Sequence, residues 1–251
     1  MNKNSNTYTF IFAVLMVLVV ASVLAFTATS LQPTQDRNVR QETMQNILFT
    51  VGVDSVEVDG KLEYLSRPLA ENNFDKYIKE TIALNPDGSV NESVDAFNVD
   101  LSKELNKPVD KQVYPLYIAE VKQEKYYIVP LRGTGLWGAI WGYISLKDDV
   151  NTVKGVIFDH KSETAGLGGE ITKMWFRQRF EDEKIFDSNG ELVGVSVVKG
   201  YSGGGDKDDN KIDAISGATI TGDGVSDMIS ERLKHYLPYF KEQTEMKVAT
   251  K

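Results

Sequence analysis

The 251-residue sequence contains no cysteine. That excludes disulfides, thiolate metal sites, iron–sulfur clusters, cysteine nucleophiles and a lipid anchor built on cysteine. It does not choose a compartment, because an oxidising space does not oblige a protein to carry disulfides. Histidine is nearly as scarce, with only His160 and His235. A histidine-rich metal centre or a haem-ligand pair therefore finds too few ligands. Basic residues are outnumbered, 28 against 36 acidic ones, for a formal net charge of −8. An acidic surface argues against nucleic acid, whose phosphates attract basic patches.

What is present is an apolar run at residues 10–26, inside an uncharged span over residues 4–35. Roughly 20 such residues cross a bilayer core as a helix. A cleaved signal has an apolar core of only ~7–15 residues behind a basic start, and here that start holds Lys3 alone. The expectation is a retained single-pass anchor. Charge does not orient it: Lys3 and the amino terminus on one side balance Arg37 and Arg40 on the other.

The remainder, in a chain 41% hydrophobic and 25% charged, is enough for one sizeable core. Residues 35–51 read as a helix, with Val39, Met44, Ile47, Leu48 and Val51 near one face. Residues 54–108 carry mixed signals: a hairpin around Asp59-Gly60, a short helix face of Phe74, Tyr77, Ile78 and Ile82, and a turn at Asn85-Pro-Asp-Gly88. They read as a peripheral lobe. Residues 113–121, 126–131, 139–146 and 153–158 are β-type runs rich in Val, Ile and Tyr. A glycine-rich loop at 160–169 leads into a predicted helix over 170–180, a strand over 192–198 and a polar loop over 201–213. A last amphipathic helix starts near Thr219 to Thr221, and Pro238 should end its regular part. The predicted fold class is α+β: an N-terminal transmembrane helix, then a soluble domain with one curved, mainly antiparallel sheet and packed helices.

Several motifs dissolve on inspection. Gly133-Thr-Gly135-Leu-Trp137-Gly138 has the dinucleotide-loop spacing but is followed by strand-like residues instead of a helix, so a tight hairpin with an exposed Trp137 is expected. Asp206, Asp208 and Asn210 imitate a calcium loop, but Lys211 replaces the turn glycine and Gly217 the bidentate glutamate. Gly203-Gly-Gly205 lacks the lysine of a phosphate-binding loop. His160 and Glu163 could form an acid–base pair, with no nucleophile nearby in sequence. In Glu163-Thr164-Ala165-Gly166-Leu167-Gly168-Gly169 the glycines would let backbone approach something flat. Asp213-Ala-Ile-Ser216-Gly217-Ala218-Thr219-Ile-Thr221 places a hydroxyl among small neighbours at a helix start. It is either a plain cap or an attachment point, where a phosphate would meet free helix amides.

These residues resemble a known family. Asp213-x-x-Ser216-Gly217-Ala218-Thr219 is similar to the acceptor motif of the covalent FMN-binding proteins. Glu163-Thr164-x-Gly166-Leu167-Gly168 resembles their second signature, and Gly135-Leu-Trp137-Gly138 their third. Many members have proline where this chain has Ala165. The resemblance covers the anchor and nearly all of residues 113–239. It is strongest to the C subunits of bacterial sodium-translocating NADH:quinone reductases. The G subunits of the Rnf electron-transport complexes share the acceptor motif, and an anchored non-redox scaffold would leave Thr219 as a cap.

The resemblance implies an electron-carrying subunit, not catalytic alone, with FMN joined to Thr219 by a phosphoester bond that a flavin transferase makes. Asp213 and Ser216 would guide the transferase, and Gly217 and Ala218 belong to the same cofactor-binding motif. Glu163, Thr164, Gly166, Leu167 and Gly168 would hold the ring, with Leu167 and Trp137 as apolar walls. No metal is implied for this chain. It further implies partner subunits in the inner membrane, NADH as remote donor, quinone as acceptor, sodium transport by the whole complex and a periplasmic soluble domain. The expected organisation is an anchor at 1–33, a helical stalk and peripheral lobe at 34–110, the FMN-binding domain at 111–240 and a flexible tail at 241–251.

Overall fold

The computed structural model describes residues 5–244. It divides into two compact units, Met1–Thr43 and Met44–Lys251. In the first unit lies most of helix α1, Asn6–Thr50, which is long and apolar enough to cross a membrane, with none of its most apolar window buried in protein. Pro33 sits inside this helix.

In the second unit, the last turns of α1 lead to the hairpin β1 (Ser55–Val58) and β2 (Lys61–Tyr64) around Asp59-Gly60. Helix α2 (Arg67–Tyr77) opens on a proline, where a missing N–H costs nothing. It passes directly into β3 (Ile78–Leu84). After the short α3 (Leu101–Glu104) come β4 (Tyr114–Val121), β5 (Glu124–Thr134), β6 (Ala139–Lys147) and β7 (Val153–His160). Together β3 to β7 form one antiparallel meander in sequence order. Register shifts interrupt it between Ile78 and Glu80 and between Ser145 and Leu146.

The sheet is buried on both faces, and its side chains sort by the two-residue period of a strand. Tyr114, Leu116, Ile118, Tyr127, Val129 and Leu131 belong to one core; Tyr117, Ala119, Tyr126 and Ile128 belong to the other. The second core is completed by Met44, Ile47, Leu48 and Val51 of α1 with Val56, Leu65, Ala70 and Phe74. Residues read as the stalk helix and the peripheral lobe thus together cover one face of the sheet. Ile78 and Ile82, expected on a helix, lie instead on the edge strand β3, because tertiary pairing with β4 outweighs an ambiguous local pattern.

Beyond β7 the chain is irregular. The predicted helix over 170–180 is broken into a 3₁₀ turn (Gly168–Thr172), the single turn α4 (Met174–Arg177) and another 3₁₀ turn (Gln178–Phe180), because Lys173 adopts an extended backbone. The strand over 192–198 shrinks to β8 (Ser196–Val198). It pairs in parallel with β9 (Lys211–Asp213), from a stretch read as loop. Helix α5 (Thr219–Lys234) then lies across the first core through Val225, Met228, Ile229 and Leu233. Pro238 does not end the helical structure. It stands at the second position of α6 (Leu237–Thr244), whose Tyr239 and Phe240 are buried, Phe240 edge-on to Tyr127. The expected tail therefore begins as helix, and its residues 245–251 lie outside the described residues. The Tyr236 hydroxyl donates to the Pro115 carbonyl at 2.9 Å, pinning the α5–α6 junction to β4.

Candidate functional site

Three segments far apart in sequence meet at one carboxylate. The first is the β5–β6 turn. Gly135 N–H donates to the Gly138 carbonyl at 2.8 Å, closing a hairpin and excluding the strand-to-helix geometry of a dinucleotide loop. The backbone of Trp137 is held at both ends: its N–H donates to Glu163 Oε1 at 2.8 Å, and Ser162 Oγ donates to its carbonyl at 2.8 Å. Its indole is left 64% exposed.

The second segment is the loop after β7. Glu163 is only 7% exposed, while Thr164, Gly166 and Leu167 stand at the surface. His160 and Glu163 do not pair through their side chains: His160 Nδ1 accepts the Glu163 backbone N–H at 3.1 Å. The Thr164 carbonyl accepts from the N–H groups of Leu167 and Gly169 and shapes the loop. Gly166 has a φ of +79°, a left-handed conformation that other residues rarely adopt. Gly168 clears space inside the protein as well. A Cβ there would lie 2.4 Å from Glu163 Oε2 and 2.5 Å from Thr221 Oγ1, so this glycine makes room for a buried hydrogen bond. A Cβ at Gly135 would meet Glu163 Oε1 at 2.6 Å.

The third segment is the start of α5. Ala218 occupies the N-cap position and offers no side-chain acceptor, so the first-turn amides of a 16-residue helix are uncapped. Thr219 is exposed. Thr221, 1% exposed, turns inward and donates its hydroxyl to Glu163 Oε2 at 2.7 Å. The capping role expected of either threonine falls to neither. Gly217, with a φ of +76°, carries the chain into the helix where a Cβ would touch Leu167 Cδ2 at 2.9 Å. Ser216 is exposed beside it. Close approach of α5 to β5 fixes the helix start: a Cβ at Gly224 would lie 2.3 Å from the Thr134 carbonyl oxygen, and one at Gly133 2.8 Å from Met228 Cβ.

Asp213 ends β9, apart from the Glu163 node. Arg179 Nη1 donates to its carbonyl at 2.6 Å and lies 3.4 Å from its Oδ2, while the Arg179 guanidinium lies 4.8 Å over the Trp175 ring. Nearby, Glu183 is fully buried against Lys207 Nζ at 2.8 Å, and burial pushes its carboxyl above the ordinary range. Arg179, Ser162 and the inward role of Thr221 carry no local signature in the sequence, since each acts on a partner 25 or more residues away. The loop that imitated a calcium site engages protein partners near and far in sequence. Asp206 accepts from the Asp208 N–H, and the Asn210 amide donates to the Lys184 and Phe186 carbonyls.

The geometry suits a flat, partly apolar group that carries a phosphate. Trp137 and Leu167 offer exposed apolar surface beside uncapped helix amides and an exposed threonine hydroxyl. A family model described as the FMN-binding domain matches residues 135–234, which contain all three segments. The chain is 28% identical over 246 residues to the Na(+)-translocating NADH-quinone reductase C subunit of Pseudomonas aeruginosa, covering 91% of each. It is 29% identical to that of Haemophilus ducreyi, covering 89% of this chain and 88% of the relative. The crystal structure of the C subunit from Parabacteroides distasonis superposes with a TM-score of 0.71 at 37% identity, over 84% of this chain and 96% of that one. The Shewanella oneidensis structure shares the fold, with a TM-score of 0.68 at 22% identity, over 82% and 98%. An α+β chain with an apolar N-terminal helix and these three converging loops belongs to the family of Na(+)-translocating NADH-quinone reductase C subunits.

Proposed function

We propose that the chain is the electron-carrying flavoprotein subunit of a Na(+)-translocating NADH:quinone oxidoreductase, with FMN joined to Thr219 Oγ1 by a phosphoester bond. The observation that carries the choice of residue is the contrast between two threonines two positions apart. Thr219 is exposed at an uncapped helix start, whereas the Thr221 hydroxyl is buried and already donated to Glu163. Attachment by a flavin transferase from FAD forms the Oγ1–P bond and breaks the pyrophosphate bond, with AMP leaving and the Thr219 proton released.

When bound, FMN supplies one-electron redox chemistry that the side chains of this protein lack. The chain's own groups bind and orient. The helix amides stabilise the phosphate. Trp137 and Leu167 wall the ring, with the backbone of Thr164, Gly166 and Gly168 beside it. Asp213, Ser216 and Gly217 form the surface that the transferase reads, with Ala218 buried behind them. Within the complex the subunit relays electrons originating from NADH toward quinone, with its soluble domain on the periplasmic side of the inner membrane. Sodium is carried by partner subunits, since the apolar run of α1 offers no ionisable side chain between residues 10 and 26.

The test is expression of the full chain with and without a flavin transferase, followed by denaturing electrophoresis and intact mass. A fluorescent band and a gain of FMN less water are expected only with the transferase. Thr219→Val should abolish both and Thr221→Val should retain them. An unmodified mass in the presence of transferase would overturn the reading.

A further inference from the structure

Glu163 differs from every other polar group at the site. It is buried, yet it reaches two of the three segments with its side chain and the third with its own backbone. Oε1 accepts the Trp137 N–H, Oε2 accepts the Thr221 hydroxyl, and Gly135 and Gly168 are kept without side chains around it. Among the described residues no Lys or Arg forms an ion pair with it. His160 Nδ1 meets the Glu163 backbone N–H and makes no hydrogen bond to its carboxylate. The two bonds satisfy the carboxylate, but they leave its negative charge uncancelled in a poorly solvated place, where charge acts at longer range than in water.

We propose that Glu163 is a positioning residue that locks the indole-bearing turn to the start of α5, and that its fixed charge sets the reduction potential of the site. Both parts rest on FMN being carried at Thr219. The lock is what keeps the two threonines distinct: by holding Thr221 inward, it turns the first helical residue, Thr219, outward. The charge opposes the arrival of an electron at a neighbouring redox group and so holds the potential low.

The two parts are separable with two variants. In Glu163→Gln the amide oxygen can still accept from Trp137, and the amide nitrogen can donate to Thr221 Oγ1, so the loops stay joined while the charge is gone. Full chain co-expressed with transferase should carry flavin at the wild-type yield. Its one-electron reduction equilibrium should shift about tenfold toward the reduced side, about 59 mV upward by the one-electron conversion. An unchanged or lowered potential overturns the charge assignment. Glu163→Ala removes both acceptors. In the unloaded chain, hydrogen exchange at the Trp137 amide should accelerate at least about tenfold relative to both wild type and Glu163→Gln, a size set by the loss of about 1.4 kcal/mol of local protection. Unchanged exchange overturns the lock. Should Glu163→Ala fail to fold, Glu163→Asp, one methylene too short to reach both Trp137 and Thr221, reads the lock by the same exchange measurement. Wild-type chain that takes up no flavin would sink the flavin reading, a result distinct from either outcome for Glu163.

Discussion

At the scale of single residues, the site is a lesson in which hydroxyl is available. Thr219 and Thr221 look equivalent on paper, and small neighbours alone do not separate them. Separation comes from the Thr221 Oγ1 to Glu163 Oε2 bond, which spans 58 residues of sequence. Thr221→Val keeps the shape of the side chain but removes the donor, leaving a buried carboxylate oxygen unpaired. The expected cost is about 1–3 kcal/mol, the penalty for orphaning a buried acceptor. It should be read as a lowered urea midpoint at unchanged m-value, with Thr221→Ser close to wild type. Equal stability of the Val and wild-type proteins would mean that the bond contributes nothing. The helix start with its exposed hydroxyl and the glycine loop were legible because their pattern is local: small residues, a hydroxyl, a helix behind. That Gly135 and Gly168 clear space for Glu163, and that Arg179 holds Asp213, was not legible, since nothing in the local pattern around each records its partner.

At the scale of elements, the strands from β4 to β7 and the helix α5 followed from periodicity, because each buries a continuous face. Other elements did not. Residues 78–84, Ile-Lys-Glu-Thr-Ile-Ala-Leu, fit a helix face as well as an edge strand, and only pairing with β4 decides. The break at Lys173 is set by backbone conformation, not by a proline or glycine. The helix α6 holds in its first turn the very proline expected to stop one, since proline is tolerated there. The junction between α5 and α6 carries its own titration. His235 stacks on Tyr114 with ring centroids 4.6 Å apart, and burial, with Arg232 beside it, holds its pKa below the ordinary value. The unfolded chain therefore binds this proton more readily than the folded one. Stability contributed by neutral His235 is present above about pH 6.5 and is lost as the pH falls from there toward the depressed folded value. His235→Phe keeps the stack and removes the proton. The difference in urea midpoint between wild type and His235→Phe should change between pH 8 and pH 5, with wild type losing ground on acidification. A constant difference would remove His235 from the pH response.

At the scale of the whole molecule, the two units obey different solvents. Among the described residues, neither hydrophobic core contains one before Met44, and the apolar side chains of residues 10–26 are exposed throughout. In water that helix is an aggregation liability; in a bilayer it needs no protein neighbours, since its backbone bonds are satisfied within the helix. The second unit, by contrast, has its sheet covered on both faces, by α5 and α6 on one and by the end of α1 with α2 on the other. All of that cover comes from residues 44–240. A chain beginning at residue 35 keeps nine helical residues ahead of the core and every residue of the three site segments. It should be soluble without detergent and melt within about 2 °C of the full-length protein in micelles, because a change of only ~1 kcal/mol would move the midpoint of a domain this size by ~2–4 °C. It should also accept flavin on Thr219 when the transferase acts in the same compartment. A truncated chain that aggregates, or melts many degrees lower, would mean that the anchor contributes to the fold and does more than tether it.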